Sequence, residues 1–358
     1  MFFKQYVSNT LAGSANQSFF ESDNSLLTGR VYYKLFADAK KHALLFGDTA
    51  DSTFADGSYS CCNMTSGKWE IVSLKAGIVP SCGMENPTNP ESFVPVTFSG
   101  NTGKRVAEGE QFYTDSFELD AKKDEFLCLE IAFKGEKIPC HPELWIASFR
   151  KEEDAFVPSV NLPVPAMVGC VRTVEKRIGF LGDSITQGIG SEKNSYGHWN
   201  AVLAEKLGNQ NAYWNLGIGY ARASDAATDG AWLQKAKQNE FVLVCLGVND
   251  MTRSKTAEEI CKNLEIVTDT LQKNGVKVLI QTVPPFDYDE KITVKWNAVN
   301  DFIVNTLAKK TDAFFDNRPI LSLSAEQHQR AKFGGHPNNE GCTAWGSALA
   351  EYLQPILK

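Results

Sequence analysis

Four short segments in the second half of this 358-residue chain combine a hydroxyl nucleophile, amide donors and an imidazole. Gly182-Asp183-Ser184-Ile185-Thr186-Gln187-Gly188 follows the apolar run Arg177-Ile178-Gly179-Phe180-Leu181. A strand-to-helix turn there puts the Ser184 hydroxyl at a sheet's rim, beside helix N–H groups suited to a developing oxyanion. The same small polar residues also suit an ordinary N-cap turn. Asn215-Leu216-Gly217-Ile218-Gly219-Tyr220-Ala221-Arg222 and Gly247-Val248-Asn249-Asp250 come next. Their glycines permit close backbone approach, and an asparagine amide can donate to an anion. Last stands Gly334-Gly335-His336-Pro337-Asn338-Asn339-Glu340-Gly341, before a final helical stretch from Thr343 to Leu357. A histidine in a Gly/Pro turn is not on an apolar face, so a purely core role loses weight.

These segments need a scaffold, and the pattern around them supplies one. Buried-type runs at Arg177 to Leu181, Phe241 to Leu246 and Val276 to Ile280 alternate with helical stretches such as Trp199 to Leu207 and Thr256 to Asn274. Strands alternating with helices predict a parallel sheet covered on both faces, which binds ligands beyond the carboxyl ends of its strands. The first half reads differently. Short apolar or alternating runs (Val31 to Phe36, His42 to Phe46, Trp69 to Leu74, Phe93 to Phe98, Phe126 to Phe133) separated by turn residues predict an antiparallel sandwich, of jelly-roll or immunoglobulin-like order. Three prolines between Val157 and Ala166 break both patterns. The expected domains are therefore 1–165, all-β, and 170–358, α/β.

Taken as an ordered set, Ser184 after the first strand, Asn249 after a middle strand and His336 before the last helix resemble the SGNH (GDSL-type) hydrolases. The blocks of that family read Gly-Asp-Ser, a glycine-containing turn, Gly-x-Asn-Asp and Asp-x-x-His, and the resemblance covers residues 176–358. It implies a flavodoxin-like three-layer α/β/α domain. It also implies Ser184 as nucleophile, His336 as general base and then acid, and Asn249 as an oxyanion donor beside the backbone N–H of Ser184. Those roles agree with the local chemistry, because a neutral hydroxyl needs a base in reach and a tetrahedral oxyanion needs fixed donors.

Two positions depart from the family pattern. Phe333 stands where Asp-x-x-His would place the aspartate that orients the histidine. A backbone carbonyl, or an acid from another segment such as Asp316, is the expected substitute. Tyr220 stands where the second block has glycine; its backbone N–H can still donate, and Gly219 serves if the turn shifts by one. A Ser-His dyad suits esters, whose alkoxides leave more easily than amines. Two-domain carbohydrate esterases that join an N-terminal jelly roll to an SGNH domain look similar, and some also dispense with the aspartate. The implied function is hydrolysis of short acyl esters, acetyl above all, on a carbohydrate. A lipid or thioester acylhydrolase and a catalytically weakened carbohydrate-binding protein are the alternatives.

Composition narrows the classes further. Net charge is −7, and residues 1–168 hold 15 Lys+Arg against 22 Asp+Glu. That balance argues against nucleic acid and anionic membranes as partners, leaving a small-molecule or oligosaccharide ester. No apolar run reaches membrane-spanning length and the first residues lack a leader pattern, so a soluble, cytoplasmic protein is expected. Nine cysteines, two of them vicinal (Cys61, Cys62) and none in Cys-x-x-Cys spacing, suggest reduced thiols. His198 has no second ligand at helical spacing, so neither a metal nor another cofactor is expected. Five tryptophans of the second half (Trp199, Trp214, Trp232, Trp296, Trp345) suit either sugar stacking or core packing. Gln281 to Phe286, after the fourth strand, is expected to form a pocket wall or a structural turn.

Overall fold

A computed structural model describes residues 2–51, 62–253 and 255–357. The chain divides into two compact units, one taking in the described residues up to Thr173 with Ala212–Trp214, the other Val174–Asn211 and Asn215 onward. Of the vicinal cysteines, Cys61 lies outside the described residues; the eight described cysteines are free thiols, six of them buried.

The first unit is built of antiparallel sheets. One runs Val7–Ser8, Met167–Cys170, Ala39–Gly47, Gln111–Tyr113, with Phe117–Ala121 also on Ala39–Gly47. The other runs Ala155–Pro158, Ser148–Glu152, Leu27–Lys34, Phe126–Gly135, Trp69–Val79, Val94–Val96, with Lys104–Val106 also on Trp69–Val79. Alternation drives the pairing, since apolar residues two apart share a face. Phe126–Gly135 pairs on both sides, with Leu27–Lys34 and with Trp69–Val79, and sits at the sheet's centre. On Trp69–Val79 the alternation slips at Val72: Ile71 opposes Phe133 while Ser73 opposes Ala132, a bulge that returns Leu74 and Ala76 to the buried side. Trp69 of one sheet meets Phe112 of the other at 6.2 Å, and Phe112 stacks on Phe46 at 5.7 Å. The tryptophan indole satisfies its N–H on the buried Asp48 carboxylate at 2.8 Å.

The second unit carries a five-stranded sheet: β1 (Arg177–Gly182), β2 (Ala212–Gly217), β3 (Phe241–Cys245), β4 (Lys277–Gln281) and β5 (Ala313–Phe315), in the order β2-β1-β3-β4-β5. The pairs β1·β3, β3·β4 and β4·β5 are parallel. Their near-continuous burial explains why these strands read as unbroken apolar runs. Parallel neighbours need crossover connections, and helices supply them. The helices group accordingly. Between β1 and β2 lie α1 (Ser184–Gln187) and α2 (Trp199–Leu207); α3 (Ala223–Ala226) and α4 (Val248–Thr252) follow β2 and β3. Beyond them come α5 (Ala257–Lys273), α6 (Glu290–Asn305) and α7 (Asn339–Leu353). α7 packs on α2, with Trp345 stacked on Trp199 at 4.6 Å, while α5 packs on α3 and α6. The result is three layers, α/β/α. The strand order reverses between β1 and β3, which makes their carboxyl ends the place where such sheets form a crevice.

Candidate active site

Ser184 opens α1 directly after β1. Gly182 is required there, because a Cβ would lie 2.0 Å from Thr186 Oγ1 and 2.8 Å from the Cys245 carbonyl. Asp183 caps the helix, its Oδ1 accepting from Ile185 N at 3.0 Å. Burial pushes this carboxyl up to about 7 despite that bond. Ser184 Oγ lies 2.8 Å from His336 Nε2, within reach for donating its proton to the imidazole.

His336 comes from a loop rather than an element, and neighbours on several sides fix it. Asn338 caps α7 by accepting from Gly341 N at 3.0 Å, and Asn339 Oδ1 accepts from Glu192 N at 2.9 Å, tying the loop to the segment after α1. Gly190 in that segment has φ +100, and a Cβ there would sit 2.5 Å from the His336 carbonyl oxygen. On another side the Phe286 ring meets the imidazole edge-on, with centroids 5.1 Å apart at 77°. Phe286 also fills the space a Cβ at Gly335 would need. Burial lowers the His336 pKa below the ordinary imidazole value, keeping the ring neutral.

The substitutes expected for the missing aspartate are not found. Asp316 at the end of β5 holds Arg318 through two 2.8 Å contacts and accepts from Thr282 Oγ1 at 3.0 Å, so its oxygens are committed at the sheet's far edge. Among the described residues no carboxylate and no carbonyl accepts from His336 Nδ1. Phe333 instead packs over the first turn of α7, where only glycine fits at position 341.

The candidate oxyanion donors also need one correction. Gly219 N–H donates to Gln187 Oε1 at 2.7 Å, so Gly219 is occupied and does not serve. Tyr220 sits at φ +61, and its N–H, like that of Ser184, meets no acceptor among the described residues. Asn249, in the first turn of α4, gives one amide N–H to the Ala221 carbonyl at 3.0 Å and keeps the other. Ser184, Tyr220 and Asn249 follow β1, β2 and β3, three adjacent strands, at their carboxyl ends. Sequence reasoning gave Asp250 no role. It is fully buried, accepts from Ala223 N (2.8 Å) and Ser224 N (3.3 Å), and thereby ties the start of α3 to the turn that carries Asn249. Burial pushes it up to about 6. Gly190 and Gln187 were equally invisible as site residues, because each acts through a contact between segments distant in sequence, while Phe286 belongs to the segment expected as a pocket wall or a structural turn.

His198 and the other histidines apart from His336 are structural. His198 is buried at the start of α2, where burial pushes its pKa down to about 4. His42 stacks on Phe117, His141 bonds the Ala15 carbonyl and His328 stacks on Trp296. Among the described residues no group of three His, Cys, Asp or Glu side chains has the spacing of a metal site. All five tryptophans named above are core residues, none more than 4% exposed, so sugar stacking is not their role. Trp232, Trp296 and Trp345 satisfy their indole N–H groups internally. No described helix is long and apolar enough to cross a membrane.

Residues 180–344 match the family model described as GDSL-like lipase/acylhydrolase. No curated protein matches the chain. Among solved structures, an inhibitor-bound aryl esterase of M. smegmatis aligns at 20% identity and a TM-score of 0.42, covering 51% of this chain and 99% of its own. A carbohydrate acetylesterase from Sinorhizobium meliloti aligns at 20% identity, TM-score 0.39, with the same coverage. A lipolytic protein of the G-D-S-L family from Desulfitobacterium hafniense DCB-2 aligns at 17% and 0.41, covering 49% and 98%. The matched residues run from within β1 into α7 and contain Ser184, Asn249 and His336, so the α/β unit carries a GDSL-like lipase/acylhydrolase domain, a hydrolase of carboxylic esters.

Proposed function

We propose that this protein removes short acyl groups, acetyl above all, from a carbohydrate through a Ser184-His336 dyad and an acyl-enzyme. The 2.8 Å contact between Ser184 Oγ and His336 Nε2 carries the reading. Oγ attacks the ester carbonyl as its proton passes to Nε2. The N–H groups of Ser184 and Tyr220 and the second amide N–H of Asn249 receive the oxyanion. Collapse breaks the carbonyl–alkoxy bond, and the imidazolium protonates the leaving alcohol. A water then gives its proton to Nε2 and attacks the acyl-enzyme, releasing the acid and restoring Ser184.

With no acid on Nδ1, the imidazolium is held by packing alone, which favours substrates whose leaving group needs little help. Esters meet that demand better than amides. The carbohydrate assignment is supported by two features shared with two-domain sugar esterases: an antiparallel β domain preceding the α/β domain, and a residue other than aspartate three positions before the histidine. A chain-length series of aryl esters, acetate to octanoate, run on wild type and Ser184→Ala, tests it. The expected result is kcat/KM highest for acetate and lost in the variant. A steady rise with acyl length would favour a lipid acylhydrolase instead.

A further inference from the structure

At one end of the sheet built on Trp69–Val79, where that strand starts and Phe126–Gly135 and Lys104–Val106 end beside it, lies an open cleft of about 770 Å³. Its size is that of an ordinary small-ligand site. Its charge is not ordinary for its surroundings. The acidic half of the chain, 15 Lys+Arg against 22 Asp+Glu, brings four of those cations to this one cleft, Lys68, Arg105, Lys134 and Lys137, and only two of the carboxylates, Glu70 and Glu136. Glu70 is shared by Arg105 at 3.8 Å and Lys134 at 3.6 Å, so one carboxylate faces two cations. Lys68 has no carboxylate partner among the described residues, and Lys137 lies over the Phe19 ring at 4.5 Å rather than on an acid. The floor is rigid. Trp69 is anchored on Asp48, and Gly135 at φ +157 lets the chain pass where a Cβ would fall 2.6 Å from Trp69 Cβ, fixing Lys134 and Lys137 on the same turn.

We propose that this cleft binds an anionic saccharide, a sugar chain bearing carboxylate or sulfate groups. Uncompensated cations supply the anion's partners, while Glu70, Glu136 and Asn24 on the same lining accept from hydroxyls. A ligand carrying both kinds of group satisfies all of them; a simple phosphate leaves the acceptors unused. A single-stranded DNA backbone carries no free hydroxyls along its length and leaves those acceptors unused as well. The binding does not depend on Ser184 chemistry. Located in the same chain as an esterase domain, it would keep the enzyme near a polymeric substrate.

The test is affinity electrophoresis and calorimetry on the full chain with polygalacturonate, dextran sulfate, neutral dextran and a single-stranded oligonucleotide. Wild type is expected to bind polygalacturonate, dextran sulfate or both, the pattern naming the anion, and to ignore neutral dextran. Lys68→Glu/Arg105→Glu, two exposed positions, should weaken binding at least tenfold while hydrolysis of a small aryl acetate and thermal unfolding stay unchanged. Lys68→Gln/Lys137→Gln gives an independent second reading. No binding to either anionic polymer, equal binding by the variants, or equal retention on the oligonucleotide would overturn the proposal.

Discussion

The two halves of the proposed dyad are held by different physics. Ser184 stands in a turn fixed by hydrogen bonds close in sequence: Asp183 caps the helix, and Gly182 admits Thr186. His336 stands in a loop fixed by shape, between the Gly190 backbone and the Phe286 ring, with its second nitrogen unclaimed by any described acceptor. Hydrogen-bonded turns tolerate changes in neighbouring side chains, whereas positions held by packing fail when a wall moves, because interiors are close-packed and transmit displacement. The nucleophile side should therefore be sensitive to loss of its own functional atoms, and the base side to residues that never touch substrate.

The largest expected effect comes from removing the proposed base. His336→Ala should lower kcat/KM for an aryl acetate by at least about 10³-fold, matching Ser184→Ala, because nucleophile and base act as a unit. Rates that differ greatly between the two variants would separate what the structure joins. Asn249→Ala should cost about 10²-fold in kcat with little change in KM, as expected for a donor used in the transition state. A KM effect alone would instead make Asn249 a ground-state contact.

Phe286→Leu tests the packing side. Moving the imidazole by a fraction of an ångström should lower kcat by about tenfold, with Phe286→Tyr restoring it. The pH profile gives a second readout. A base that works neutral and has a lowered pKa keeps its activity as pH falls past the ordinary 6.5, so the acid limb of kcat/KM should lie below that value. Opening the site in Phe286→Leu should move the limb upward, since water then solvates the charged form. An unchanged limb with reduced kcat would limit Phe286 to orientation. The smallest effect is expected for Phe333→Asp, which should gain no more than about tenfold. Its side chain sits over Gly341, and a carboxylate there carries a desolvation cost unless it reaches Nδ1. A gain of several hundredfold would show that orientation of the imidazole limits the enzyme.

How far the sequence foretold this arrangement varied with the range of the interaction. The helix expected from Trp199 to Leu207 begins and ends at those residues, and Thr256 and Asn274 are the caps of α5. Such signals are local, carried by apolar periodicity and cap residues. α7 starts at Asn339, four residues before the expected Thr343, because Asn338 is its cap and glycine at 341 is tolerated where Phe333 lies against it. The bulge at Val72 was hidden because alternation alone cannot show a slipped register. Gly219 and Tyr220 could not be told apart until Gln187 was seen to occupy the first. Gln281 to Phe286 was expected as a pocket wall or a structural turn, but that Phe286 and Gly190 meet His336 was out of reach for the same reason: they lie 50 and 146 residues away in sequence, and no local pattern encodes the contact.

The most direct test of the dyad is intact-mass spectrometry after reaction with a stoichiometric arylphosphonate ester, followed by peptide mapping. A single adduct on Ser184 is expected in wild type and none in Ser184→Ala, with formation slowed by at least about 10³-fold in His336→Ala. An adduct on another residue, or equal labelling of wild type and His336→Ala, would contradict it.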